Sequence, residues 1–99
     1  MPGQITVQAM HAMAEFLFKF KEKSEEWHIN SNSICLLEAD DINHLEEIKL
    51  KANDKNISFA EFYEPDYNNS LTAIALEPGT KTKKFCYHFK LALKDLEVK

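Results

Sequence analysis

An apolar helical pattern at the N-terminus constrains this chain more than any other feature. Residues 3–22 are predicted to form a helix, with Pro2 suited to its first turn. Its apolar stripe consists of Ile5, Ala9, Ala12, Met13, Phe16 and Phe20, and Leu17 and Phe18 widen it. A helix that is apolar over so much of its circumference is expected to pack on more than one side.

Polar side chains share a second face of this predicted helix. They follow one another at steps of four, three, four and four residues, which places them on one side. They are Gln4, Gln8, His11, Glu15 and Lys19. This is the face on which the helix can offer polar groups to a ligand.

The middle of the chain predicts a connection, a strand and a helix. Residues 23–31 are polar and indicate a connection. Residues 33–39 carry a continuous apolar centre, which favours a strand buried on both faces. Residues 41–54 then show helical spacing, with Asp40 or Asp41 as the N-cap.

The last third predicts a hairpin and a short helix. Residues 57–63 and 70–76 favour strands, and the six residues 64–69 between them contain Pro, Asp and Asn, which are typical of turns. Thr80 or Thr82 is expected to begin the final helix.

We therefore predict one α/β domain over residues 1–99. The expected architecture is a three-layer sandwich, in which helices flank a small mixed sheet of about three strands. Residues 90–99 are expected to form a loose tail.

Composition narrows the classes of function. The net charge is −4, so any RNA binding has to depend on a local patch of positive charge. No apolar run reaches the ~18 residues of a membrane span, and no secretion signal is evident. We expect a cytoplasmic protein, in the host cytoplasm if the gene is viral.

Neither a metal site nor a cofactor is predicted. Cys35 and Cys86 lack a CxxC spacing and are expected to be reduced thiols in the core. The histidines outside the first helix show no ligand spacing with one another or with the cysteines.

Two blocks resemble the archaeal/eukaryotic-type (type II) peptidyl-tRNA hydrolases. Residues 2–12, PGQITVQAMHA, resemble the start of that family's first helix. Residues 64–66, EPD, and 71–79, LTAIALEPG, resemble its acidic turn and its last strand, which begins with Thr and ends in Pro. Small phage-encoded members carry similar sequences in the second block. Together with the terminal helix, the resemblance covers nearly the whole chain.

The chain departs from the family's pattern in two places. The family begins with a strand rich in Val and Ile, which this chain lacks; an upstream start codon is the alternative explanation. The family's candidate catalytic lysine at the head of the helix is replaced by Gln4, whose amide carries no positive charge.

The resemblance implies a set of site residues for ester hydrolysis on tRNA. His11 and Asp66 would orient water or handle protons, with Glu64 as the alternative to Asp66. Thr72 would be a hydroxyl donor, and Gln4 and Gln8 would be neutral donors. Phosphate contacts would come from Lys81, Lys83 and Lys84, near the start of the last helix.

Each residue also has a purely structural interpretation. His11 is compatible with a surface histidine, Asp66 with a turn-former, Thr72 with a strand residue, and the three lysines with a solvated face. The sequence accordingly leaves two functions open. One is a peptidyl-tRNA hydrolase; the other is an inactive module of the same fold that binds a tRNA end, a nucleotide-like ligand or a protein. A homodimer is expected, because a sheet without its first strand leaves an open edge and an uncovered helix face.

Overall fold

The computed structural model describes the backbone of residues 2–91 and the side chains of residues 7–66 and 68–89. The helices are α1 (Pro2–Lys19), α2 (Lys21–Asn30), α3 (Ile42–Asp54) and α4 (Thr80–Phe85). The strands are β1 (Leu37–Glu38), β2 (Phe59–Glu64), β3 (Ser70–Leu76) and β4 (Lys90–Leu91), and a 3₁₀ turn (Pro65–Tyr67) joins β2 to β3. This arrangement confirms the predicted α/β class.

Strands β2 and β3 form the antiparallel hairpin that the sequence predicts. Its bend is completed by Asn68 and Asn69, whose φ angles are 56° and 57°. Asparagine tolerates this left-handed conformation better than other residues with side chains. The turn residues therefore fix the hairpin as expected, although β2 begins at Phe59 and runs on through Glu64.

A β-bulge interrupts the pairing of the hairpin. Phe62 pairs with Ala73, but the next residue, Tyr63, pairs with Leu71. One step along β2 thus corresponds to two steps along β3, which makes Thr72 the extra residue. In such a bulge two residues oppose one, and here Thr72 and Ala73 both oppose Phe62.

Helices cover both faces of the hairpin. On one face, α1 contacts β2 through the ring of His11, which stacks on Phe62. On the other, Lys49 of α3 binds the carboxylate of Glu61. Because adjacent side chains of a strand point to opposite faces, α1 and α3 lie on opposite sides, and the predicted three layers are present.

The core lies between these layers. Its buried apolar side chains are Ala12, Phe16, Ile48, Ala52, Ile57, Ala60, Leu71 and Ala73. Several are alanines, so helices and strands approach closely. Asp41 fixes the start of α3, since its Oδ1 accepts a hydrogen bond from the backbone N–H of His44 at 2.8 Å.

The strands do not form one mixed sheet. Within residues 2–91, β1 pairs with β4 and β2 pairs with β3, both antiparallel. Residues 90 and 91 of the predicted tail belong to β4, and residues 92–99 lie outside the described part of the chain.

The polar connection predicted over residues 23–31 is wrong, because this segment forms α2. Its side chains are polar on all sides and give no helical periodicity, although Lys and Glu have good helix propensity. The helix ends where Trp27 Nε1 donates a hydrogen bond to the carbonyl of Ser33 at 2.7 Å.

The predicted buried strand over residues 33–39 is also wrong. Only Leu37 and Glu38 pair as a strand, and Ile34 is 69% exposed. Cys35 is exposed and Cys86 is half-buried, so Cys35 is not a core thiol. Burial raises the pKa of the Cys86 thiol.

The start of α4 also differs, because Gly79 is its N-cap, and no side chain caps it. Among residues 2–91 no helix has both the length and the hydropathy to cross a membrane.

Candidate functional site

The centre of the candidate site is a hydrogen bond between α1 and the bulge. The hydroxyl of Thr72 donates to Oε1 of Gln8 at 2.9 Å. Gln8 is only 8% exposed, although it is a polar residue in a layer that packs on the hairpin. The bulge turns Thr72 toward α1, and this side chain supplies the partner that a buried amide requires.

His11 lies next to this pair, about one helical turn after Gln8. Its imidazole stacks on the ring of Phe62, with the centroids 4.5 Å apart and the planes at 14°. The residue as a whole is exposed. The stacking fixes one face of the ring while its edge stays open to solvent, as proton transfer to a ligand requires.

The bend that carries Asp66 lies at the same end of the hairpin as Thr72 and Gln8. At the C-terminal end of α1, Phe20 lines one cleft together with Phe59, the first residue of β2. The N-terminal half of α1 must therefore point toward the bend, where β2 ends. Asp66 and Glu64 are located there, and no described side chain forms a hydrogen bond or ion pair with Asp66.

Gln4 belongs to the same helix one turn before Gln8, and its side chain lies outside the described ones. Its backbone position places it further toward the bend.

The predicted lysines lie at the other end of the hairpin. Helix α4 follows the end of β3, four residues beyond Thr72, which corresponds to about 13 Å along a strand. Lys81 donates a hydrogen bond to the carbonyl of Asn56 at 2.9 Å, and Lys83 and Lys84 are exposed. The structure therefore separates them from His11, Thr72 and Asp66.

A charged cluster on the opposite face of the hairpin ties α3 to β2. Nζ of Lys49 lies 3.0 Å from Glu61 and 2.9 Å from Glu46, and it also bonds Tyr63. Hydrogen bonds to Glu46, Glu61 and Tyr63 raise the pKa of Lys49. Partial burial raises the pKa of Glu61, but hydrogen bonds from Tyr63 and Lys49 outweigh it and leave the pKa below its usual value.

Since it lies on the α3 side, this cluster does not bring a positive charge to the α1 site. Its ammonium group is held by carboxylates and supports the strand beneath the site.

The hydrogen-bond geometry assigns separate roles to the Gln8 and Thr72 side chains. A hydroxyl has one proton, and Thr72 gives it to Gln8 Oε1. This bond fixes the orientation of the amide, so the two N–H donors of Gln8 point away from Thr72. Among the described side chains the buried polar atoms without a partner are Ser24 Oγ and Thr82 Oγ1, and the Gln8 amide is not among them.

The site thus combines a stacked imidazole with an oriented amide donor. An imidazole can accept or deliver a proton near neutral pH. An amide N–H can donate to an oxygen on which negative charge develops. These are the requirements of water attack on an ester.

Two contributors were not predicted from the sequence. The sequence pattern does not indicate that Phe62 supports the ring of His11, and it does not indicate the bulge at Thr72. The imperfect alternation of residues 57–63 is the single trace of irregular pairing, and it does not locate the extra residue on β3.

Comparison with known families gives one match. A family described as Peptidyl-tRNA hydrolase PTH2 matches residues 1–92. Among curated proteins no match is found. Because the match covers almost the entire chain, from α1 through β4, this protein belongs to the peptidyl-tRNA hydrolase PTH2 family.

Proposed function

We propose that this protein hydrolyses the ester between a peptide and the 3′-terminal ribose of tRNA. The observation that carries the proposal is the partly buried Thr72–Gln8 hydrogen bond beside the stacked ring of His11. The bond holds an amide donor in place without a charged group, next to an imidazole that is open to solvent.

In the proposed reaction His11 takes a proton from the attacking water and returns it to the ribose oxygen when the ester C–O bond breaks. Asp66, at the bend, or Glu64 beside it, orients that water or the imidazole. The amide nitrogen of Gln8 donates to the carbonyl oxygen as it becomes an oxyanion, and Thr72 is the positioning residue that orients the amide. Gln4 extends the row of neutral donors by one helical turn.

The direct experiment measures release of peptide from peptidyl-tRNA by the purified protein. The matched controls are His11→Ala and Glu15→Ala, two changes of exposed residues on the same helix. Release that is lost in His11→Ala and kept in Glu15→Ala supports the proposal. No release by the unaltered protein at high enzyme concentration overturns it.

A second candidate function is binding without turnover, and the replacement of the family's lysine by Gln4 favours it. The protein would then hold a tRNA end, a nucleotide-like ligand or a protein partner through the same surface. Gln4→Lys separates the two: if an ammonium group is all that is missing, the variant gains hydrolysis that the unaltered chain lacks.

We also infer that the protein forms a homodimer through the outer face of α1. This face lies opposite the core and is apolar. Met10 is 63% and Phe18 is 78% exposed, and Val7 and Leu17 are also exposed. Val7, Met10, Ala14 and Leu17 follow the 3-4-3 spacing of a helix-pairing seam. Surface helices ordinarily present polar residues outward, and a second α1 offers the matching stripe.

Peptidyl-tRNA occurs in the compartment where translation takes place. The proposed activity therefore places the protein in the cytoplasm, or in the host cytoplasm if its gene is viral.

A further inference from the structure

A cleft of about 320 Å³ opens at the end of the hairpin that lies away from Thr72. Its lining consists of Phe20, Asn53, Asn56, Ile57, Ser58 and Phe59. It thus lies where the C-terminal ends of α1 and α3 meet the first residue of β2. Neither the candidate catalytic residues nor the charged cluster of Lys49 uses it.

The lining offers the two kinds of contact that an unpaired nucleobase needs. Phe20 and Phe59 are half-buried aromatic residues, and partly accessible rings provide apolar surface for a base. Asn53, Asn56 and Ser58 carry amide and hydroxyl groups that can pair with the edge of a base.

Positive charge is concentrated around this cleft, although the chain as a whole is acidic. Lys19 and Lys21 flank Phe20 in the sequence, and Lys55, together with the acidic Asp54, lies between the lining residues Asn53 and Asn56. Lys81 reaches the rim directly, because its Nζ donates to the carbonyl of Asn56 at 2.9 Å. Glu77, an acidic residue of this end, is neutralised by Lys23 at 3.2 Å.

The bend end of the hairpin has the opposite character, because Glu64 and Asp66 lie close together in sequence there, whereas Glu61 is neutralised by Lys49. The molecule is therefore polarised along the hairpin. A polyanion that reaches the site at Thr72 will meet its complementary charge at the cleft end, where phosphate neutralisation is favourable.

The distance between the two ends fits a short stretch of single-stranded RNA. From Phe59 to Phe62, and from Leu76 back to Thr72, the strands span about 10–13 Å. This is the length of roughly three to four stacked nucleotides at 3.4 Å each. A base in the cleft thus belongs to a nucleotide a few positions before the one whose ribose lies at His11.

We infer that this cleft, together with the lysines at its rim, binds an unpaired nucleotide of the single-stranded 3′ end of a tRNA. This inference rests on the proposed function and names how its substrate is held. The cleft supplies base contacts and the rim supplies phosphate contacts. The local basic patch is what allows a protein of net charge −4 to bind RNA.

The first test is a nuclear magnetic resonance titration with the tetranucleotide ACCA. We expect shifts at Asn53, Asn56 and Ser58, and weaker binding by roughly threefold or more in Lys55→Gln. The matched control is Asn43→Asp, which changes the net charge by the same amount at the other end of α3. Shifts confined to other surfaces, or equal weakening by both variants, overturn the inference.

The second test separates the cleft from the chemistry. Asn53→Ala and Lys55→Gln are expected to raise KM for peptidyl-tRNA several-fold with kcat unchanged. The same variants are expected to leave kcat/KM unchanged for a peptidyl ester of adenosine, which lacks the upstream nucleotides. Equal effects on the two substrates overturn the inference. If the protein shows no hydrolysis at all, the proposed function fails, and the ACCA titration still decides whether the cleft binds RNA.

Discussion

The hydroxyl of Thr72 and the amide oxygen of Gln8 are joined by a 2.9 Å hydrogen bond that crosses from the hairpin to α1. The two residues are 64 positions apart in the sequence. Their bond links a strand irregularity to the buried amide of a helix, and it fixes the orientation of that amide.

Removing this hydroxyl is expected to cost stability and activity together. Thr72→Val keeps the shape of the side chain but leaves the buried oxygen of Gln8 without a partner, at a cost of about 1–3 kcal/mol in the free energy of unfolding. Urea denaturation measures this cost.

A double variant distinguishes this bond from general packing. In Thr72→Val with Gln8→Leu both polar partners are gone, and most of the lost stability is expected to return. Hydrolysis is expected to stay low in all three variants. If the double variant is as unstable as the sum of the two single ones, the hydrogen bond is not the cause.

The ring of His11 is expected to serve stability and chemistry separately. His11→Phe keeps an aromatic ring on Phe62, so the stacking contribution of about 0.5–1.5 kcal/mol is retained. It removes the proton-carrying nitrogens, and peptide release is expected to fall by about 10²–10⁴-fold. Thermal unfolding and the release assay measure the two effects; full activity in His11→Phe excludes the imidazole from proton transfer.

The Glu61 carboxylate predicts a loss of stability in acid. Its pKa in the folded state lies below the usual value, so its contribution is present at neutral pH and is lost as the pH falls through the folded-state pKa. Glu61→Gln is expected to flatten the acid limb of stability against pH, by a few tenths to about 1 kcal/mol because the group is partly exposed.

The control for this pH effect is Glu25→Gln, which alters an exposed residue of α2. It is expected to leave the acid limb unchanged. Equal curves for both variants and the unaltered protein contradict the assigned role of Glu61.

The α3 cap predicts a local effect on stability. Asp41→Ala removes the acceptor of the His44 N–H and is expected to lower the free energy of unfolding by about 1 kcal/mol. Chemical denaturation of Asp41→Ala beside Asp40→Ala tests this, since Asp40 is not the N-cap of α3. A larger loss in Asp40→Ala refutes the assignment.

The outer face of α1 predicts the oligomeric state. Met10→Glu is expected to convert the dimer to a monomer without loss of helix content, because a charge cannot be buried in an apolar seam. Light scattering with circular dichroism measures both properties. Leu50→Glu is the matched control, since Leu50 is 65% exposed on α3; a monomer before any substitution contradicts the dimer.

The sequence predicts those parts of the fold whose signals are local. Asp41 begins α3, and the Asn68–Asn69 turn closes the hairpin, because caps and turns depend on the residues present at those positions. The helical spacing of α1 is equally local, although α1 ends at Lys19 and not at residue 22 as predicted. His11, Asp66 and Thr72 lie on these elements, toward the bend end of the hairpin.

Properties that depend on contacts between distant residues cannot be predicted from local sequence patterns. Cys35 and Ile34 lie in an apolar run that indicates a buried strand, yet both are exposed in the described part of the chain. The role of Phe62 under His11 depends on how α1 crosses the hairpin. The assignment of His11, Asp66 and Thr72 to catalysis remains a prediction for the assays above.

The bulge also makes this site sensitive to chain length. Leu71 and Ile74 share one face of β3, whereas Thr72 and Ala73 share the other. The regular alternation of side chains between the two faces is therefore shifted by one residue partway along the strand. Loss of a single codon at position 72 would restore regular pairing of every remaining residue in the hairpin. The hairpin would keep its pairing, but Gln8 would lose the Thr72 hydroxyl as its hydrogen-bond partner. A family member could thus lose this hydrogen bond through one deletion while its core stays in place.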